Sequence, residues 1–198
     1  LEKITSGTDI IVLSDEVYEH MVFDGNTHES VAKYSELAAR SFIISSFGKT
    51  YHTTGWKIGY CIAPEKLMTE FRKVHQYLVF AVNTPIQFAL AEYLLKEDTY
   101  LELSSFYQQK RDFFRNAIKA SRFKLLNCEG TYFQLLDYSN ITDEKDSDFA
   151  VRLIKEFGIA SVPVSVFYNE HTDNKVLRFC FAKDEETLKR AAEIIYNI

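Results

Sequence analysis

Residues 45–67 read SSFGKTYHTTGWKIGYCIAPEKL, and the way this stretch divides decides the fold. It begins as the end of Ser41-Phe-Ile-Ile-Ser-Ser46, an apolar run with the β-branched content of a buried strand, closed by Gly48. A second run, Ile58-Gly-Tyr-Cys-Ile-Ala63, reads as another strand and is closed by Pro64. Pro64 opens a helix with Leu67, Phe71, Val74 and Leu78 on one face. Upstream, Asp9-Ile-Ile-Val-Leu-Ser14 reads as a buried strand bounded by Gly7 and by Asp15-Glu16. Between the first two strands in chain order, Ser30 to Arg40 has helical spacing in Val31, Tyr34, Leu37 and Ala38. Thr84-Pro85 opens a further helix through Phe88, Ala91 and Leu95, ending near Lys96-Glu97-Asp98.

Beyond that point the pattern changes. Residues 99–121 predict one long amphipathic helix through Leu103, Phe106, Lys110, Phe113 and Ile118. Strand-like runs follow at Thr131–Leu136, Ala160–Val166 and Lys175–Phe181, with helices expected at 147–157 and 184–197. There are no repeats and no low-complexity linker. The expected class is α/β: residues 1–98 form the end of a large α/β domain, and residues 99–198 form a small α+β domain.

Composition narrows the function. Of 198 residues, 46% are hydrophobic and 26% charged, as in an ordinary globular chain. Net charge is −5 with no basic cluster, which argues against nucleic acid as a partner. No apolar run approaches the ~20 residues of a membrane helix, so no membrane partner is expected. Leu1-Glu2-Lys3-Ile4 has no signal-peptide character and no Met, so the chain is expected to begin inside a longer polypeptide. Cys61, Cys128 and Cys180 lie far apart among apolar neighbours and read as buried free thiols in a reducing, cytoplasmic setting. The five histidines match no metal-ligand spacing, so no metal is expected.

In open α/β sheets, ligands gather at the carboxyl ends of parallel strands. Two such ends carry unusual residues here: Ser14-Asp15-Glu16-Val17-Tyr18, and Ser45-Ser46-Phe47-Gly48-Lys49 with Lys57 eight residues later. A carboxylate, a phenol, a hydroxyl and two amines would meet at one crevice. Singly, each has a plain reading: Asp15 as a turn cap, Tyr18 as a half-buried tyrosine, Lys49 and Lys57 as surface charges. The set is more specific than its members.

The stretch 45–67 resembles the cofactor-lysine segment of class I and II aminotransferases, and Asp15-Glu-Val-Tyr18 resembles the pyridine-binding segment of the same family. The resemblance continues through VNTPIQFALAEYL (82–94), GTYF (130–133), VPVSVF (162–167) and LRFCFAKDEETL (177–188). It is closest to the branch holding methionine and kynurenine–glutamine aminotransferases. It implies the C-terminal half of a fold type I enzyme dependent on pyridoxal 5'-phosphate (PLP). By the family pattern Lys49 holds the cofactor and, when displaced, moves the substrate proton as general base. Asp15, expected to be buried, keeps the pyridine nitrogen protonated, and Tyr18 donates to the phenolate oxygen. Ser46 and Lys57 bind the phosphate. Lys57 stands where the family often has arginine, which exchanges a two-pronged grip for a point charge.

Arg178, between apolar neighbours on one strand face, reads either as a structural ion pair or as a carboxylate binder, and the resemblance favours the substrate carboxylate. Phe80 and Asn83-Thr84 resemble a loop that reaches the partner subunit's site, while His52, Tyr51 and Phe167 are weaker pocket candidates. The expected activity of the full enzyme transfers an amino group from methionine, an aromatic amino acid or glutamine to a 2-oxo acid, in a cytoplasmic homodimer; the chain is expected to be a fragment of it that does not turn over alone. The rival readings are a cysteine-conjugate β-lyase and a PLP-sensing domain of a transcription regulator.

Overall fold

In the computed structural model, which describes residues 1–198, Ser41–Ser46 becomes the middle strand of a three-stranded sheet. The chain divides into two units, Leu1–Leu103 and Ser104–Ile198. In the first, α1 (Glu2–Thr5) precedes β1 (Val12–Asp15), then α2 (Ser35–Ala38), β2 (Ser41–Ser46), α3 (Phe47–Thr50) and β3 (Gly59–Ile62). Three helices complete it: α4 (Glu65–Leu78), α5 (Thr84–Tyr93) and α6 (Asp98–Leu101). β1 runs parallel to β2 with Asp15 opposite Ile44, whereas β3 is antiparallel with Gly59 opposite Ser46. That reversal matters for the site, because it puts the residues just before β3 at the same sheet edge as the residues just after β1 and β2.

Several expectations are corrected in this unit. The first strand begins at Val12, not Asp9, and it is an edge strand: Leu13 is 71% exposed, so the run is not buried. The expected helix across 30–40 is broken by Tyr34, whose extended backbone separates a 3-10 turn at Val31–Lys33 from α2. Pro64 does precede α4, and Asn83 caps α5 by accepting from the Ile86 N–H. Cys61 is half-buried rather than buried.

The second unit is an antiparallel sheet of order β4-β5-β7-β6 with helices against it. It comprises α7 (Leu103–Ile118), β4 (Lys124–Leu125), β5 (Phe133–Asp137), α8 (Asp146–Arg152), β6 (Val162–Pro163), β7 (Val176–Cys180) and α9 (Glu185–Tyr196). The single helix expected over 99–121 is therefore two, α6 and α7, parted at Glu102. β4 was not foreseen. The expected strand over 160–166 shrinks to Val162–Pro163, for two reasons. Pro163 has no N–H for a ladder, and Ser165 is drawn into a 3-10 turn by Asp146, whose carboxylate accepts from Ser165 N (2.7 Å) and Oγ (2.6 Å). Cys180, like Cys61, is half-buried.

Alternation along β5 and β7 buries Gln134, Leu136, Leu177 and Phe179 and leaves Phe133, Leu135, Arg178 and Cys180 on the opposite, half-exposed face. The core beneath includes Phe114, Ile118, Phe149, Leu153, Leu188 and Ile195, all at most 2% exposed. Buried Gln134 is satisfied by the Leu126 and Leu135 carbonyls and by Arg115 at 2.7 Å. No helix is long and apolar enough to cross a membrane.

Candidate functional site

Five of the residues singled out in the sequence lie at one edge of the first unit's sheet. Asp15 is the last residue of β1, and Tyr18 sits in the turn that follows. Ser46 ends β2, Lys49 follows in α3, and Lys57 immediately precedes Ile58 and β3. Two glycines make the approach possible. A Cβ at Gly48 would lie 2.9 Å from the Thr54 Cα, and one at Gly59 would collide with the Ser45 carbonyl oxygen. The loop between β2 and β3 therefore folds back tightly on itself. Lys57 itself takes a left-handed backbone (φ 54°), as does His52 (φ 55°), a conformation uncommon outside glycine.

The local bonds show how each group is held. Ser46 Oγ accepts from the Gly48 N–H at 3.2 Å and donates to the Ile58 carbonyl at 3.5 Å, linking the end of β2 to the approach to β3. Lys49 is half-buried. Asp15 is exposed, which corrects the expectation of a buried carboxylate; its Oδ1 accepts from the Val17 N–H at 3.2 Å and so also caps the turn. Tyr51 stacks on Phe47 and meets Tyr93 edge-on at 5.1 Å, and burial pushes its phenol up. His52 is exposed. Phe80 lies two residues beyond α4 with φ 65° and is 85% exposed, so its ring does not pack against the sheet-edge residues.

Sequence reasoning missed the acids that hold the turn after β1. Glu16 is 5% exposed, and its carboxylate accepts from Ser14 Oγ (2.9 Å) and Val31 N (3.1 Å), with His28 Nε2 at 2.9 Å. Burial alone would raise the Glu16 carboxyl, but hydrogen bonds from His28, Ser30, Val31 and Ser14 outweigh it and hold the group below its ordinary range. Glu19 accepts from Ser45 Oγ at 2.8 Å and from Tyr60 Oη at 2.6 Å. Burial, with that bond to Glu19, pushes the Tyr60 phenol up to about 12. Acidic residues directly after an apolar strand were a signal for Glu16. Nothing local marked Glu19.

In the second unit, the Arg178 guanidinium lies over the Phe133 ring at 4.1 Å and the Phe167 ring at 4.9 Å. Phe133 is the diagonal neighbour of Arg178 across β5, and Phe167 follows β6. The Nε atom is buried without a hydrogen-bond partner. The ion pairs of this unit form elsewhere, at Arg111–Asp112, Arg152–Glu144 and Lys175–Asp173. The structural ion-pair reading of Arg178 is thus not the one realised, and an aromatic clamp with an open donor suits an incoming anion. Arg178 also borders a cavity of about 550 Å³, shared with Phe133, Val162 and Ile194, within the size range of ligand sites. The first unit's own cavity, about 250 Å³ among Phe47, Ile58, Tyr60 and Leu90, touches none of the candidate residues.

The donor set at the sheet edge has the right chemistry for a phosphorylated pyridine aldehyde: an amine to bond it, a hydroxyl and a second amine for its phosphate, and a phenol and a carboxylate for its ring. The two glycine positions, where a side chain would strike the chain's own backbone, let the loop between β2 and β3 close and so bring Lys49 and Lys57 to that edge. No cluster of His, Cys, Asp and Glu suited to a metal ion is present.

Comparison with known proteins agrees with this chemistry. The aminotransferase class I and II family profile matches residues 1–195. The chain is 52% identical, over 98% of its length and 50% of the relative's, to methionine aminotransferase of Escherichia coli K12. It is 34% identical to human kynurenine–oxoglutarate transaminase 1, over 93% of this chain and 49% of that one. A crystal structure of an E. coli protein with a methionine aminotransferase function matches all of this chain and 52% of that one, with TM-score 0.96 and 49% identity. That of N-succinyldiaminopimelate aminotransferase from Mycobacterium tuberculosis matches 98% and 51%, with TM-score 0.92 and 32% identity. The chain spans about half the length of the relatives it matches.

Proposed function

The chain belongs to the class I and II aminotransferase family, and from that premise we propose that it supplies the cofactor-lysine half of a PLP-dependent transaminase. Its fold is that of the fold type I enzymes. The observation that carries the reading is the gathering of Asp15, Tyr18, Ser46, Lys49 and Lys57 at one sheet edge, by strand ends far apart in sequence. In this reading residues 1–98 belong to the large domain and residues 99–198 form the small one.

When bound, PLP supplies an electron sink that makes the substrate Cα proton removable. Lys49 would hold the group through its amine, and the same amine would move the Cα proton. Ser46 and Lys57 would grip the phosphate. Asp15 would keep a proton on the pyridine nitrogen, and Tyr18 would donate to the ring oxygen. Arg178 takes the substrate carboxylate with its planar fork. The substrates are methionine, aromatic or glutamine-like amino acids with a 2-oxo acid acceptor; the methionine and kynurenine aminotransferases among the relatives support this. The exposed apolar run Tyr77-Leu78-Val79-Phe80 supports a homodimer in which Phe80 reaches the partner's site, and the setting is the cytoplasm.

Borohydride reduction of the cofactor-loaded protein, followed by peptide mapping, tests the reading. The pyridoxyl label is expected on Lys49, and a label on another lysine overturns it. A substrate panel tests the specificity: preference for aspartate over methionine and phenylalanine would refute that part.

A further inference from the structure

Glu19 lies one residue beyond Tyr18, and its side chain leaves the turn to reach two strands at once. A single oxygen, Oε1, accepts from Ser45 Oγ at 2.8 Å and from Tyr60 Oη at 2.6 Å. Those donors are register partners across β2 and β3. Ser45 is 3% exposed, so its hydroxyl has little access to water as an alternative acceptor. Each contact adjoins a candidate residue or the tight approach between strands. Ser45 precedes Ser46, Tyr60 follows Gly59, and Glu19 follows Tyr18. The contacts cross 26 and 41 residues of chain, so no local turn geometry accounts for them.

The geometry points to Glu19 as a positioning residue: its carboxylate ties the turn carrying Tyr18 to the strand ends carrying Ser46 and Lys57, and so sets the distance between ring-binding and phosphate-binding groups. The inference rests on the proposed PLP site. Charge-assisted bonds to one oxygen are strong and directional, which suits a strut. The charged or titratable neighbours of Glu19 are few. His20 Nε2 lies 3.8 Å away, and the His20 imidazole, tilted against the Tyr100 ring and lowered chiefly by burial, is biased toward its neutral form. Tyr60 retains its proton well beyond neutral pH and therefore remains a donor. Glu16 bonds instead to Ser14, Val31 and His28, fixing the other side of the same turn.

The test compares Glu19→Ala, Glu19→Gln and Tyr60→Phe in the cofactor-loaded protein. It reads PLP affinity and the pH midpoint at which the bound cofactor's visible absorbance changes. A purely structural strut elsewhere in the fold would lower stability without moving that midpoint. Glu19→Ala, which removes both bonds, is expected to weaken PLP about tenfold and to displace the midpoint measurably. Glu19→Gln keeps an acceptor oxygen and should recover most of both. An unmoved midpoint and unchanged affinity in Glu19→Ala overturn the inference. If that variant does not fold, Tyr60→Phe decides alone: a displaced midpoint supports the strut, and an unmoved one refutes it. Failure of the underlying site looks different, since wild-type protein would then show cofactor absorbance that survives Lys49→Ala.

Discussion

The two units solve burial in opposite ways. The second closes its own core: Phe114, Phe149, Leu177, Phe181 and Leu188 are all nearly inaccessible, and buried Gln134, Arg111 and Asp146 are each hydrogen-bonded. The first leaves Leu13, Ile62, Phe88 and Leu95 at least 57% exposed, yet it carries Lys49 and its neighbours. Single-chain packing therefore fixes the scaffold around Arg178 more firmly than the sheet edge that holds the lysine.

The sharpest way to break this contrast is to truncate one side chain in each unit. Phe149→Ala should cost about 3–5 kcal/mol in denaturant unfolding of the chain, because it empties a closed core. Leu13→Ala, on an exposed edge, should cost no more than about 0.5 kcal/mol. Comparable losses would show that the first unit buries more than its surface suggests.

Next comes Asp146→Ala, which removes the acceptor for both Ser165 donors inside the second unit. A loss of about 1–3 kcal/mol is expected by the same measurement. A neutral result would mean that the 3-10 turn at Ser165–Phe167 relaxes to water, and that the core is less closed than described.

Arg178→Lys separates stability from recognition within the closed unit. Lysine keeps the charge but loses the fork, so the KM values for amino donor and oxo-acid acceptor should rise together, on the order of tenfold, with little change in unfolding. If only one KM moves, Arg178 does not read the carboxylate common to both.

The smallest effect belongs to Glu16. Its folded-state carboxyl is held below the ordinary range, so its stabilising contribution is present above that range and is lost as pH falls through the folded value. Urea titrations at successively lower pH should show the loss, and Glu16→Gln should flatten that part of the profile.

What could be read from sequence follows the range of the interactions. Ser41–Ser46 and the helix after Pro64 are local patterns of β-branched residues and proline, and both appear where expected. The gathering of Asp15, Ser46 and Lys49 at one edge follows from two parallel strand ends, a general rule of α/β sheets. The truncation of the 160–166 strand depends on Asp146, nineteen residues away, and no window of sequence contains both partners. The role of Glu19 depends on Ser45 and Tyr60, still further off. The exposure of Asp15 follows from β1 being the edge of its sheet, a fact of topology rather than of residue type.

The antiparallel turn of β3 also bears on how chain length enters the site. Twelve residues, 47–58, separate β2 from β3, and twenty-five, 16–40, separate β1 from β2. Loop-closure entropy rises only about 0.6 kcal/mol per doubling of length, so joining β1 to β2 is barely more demanding than joining β2 to β3. The longer connection is moreover pinned early by Glu16 to His28 and Val31, with Asp24–Thr27 projecting into solvent between the pins. Insertions at Asp24–Thr27 should therefore be nearly silent, whereas the shorter loop, folded tightly at Gly48, has no slack in which to absorb even one added residue.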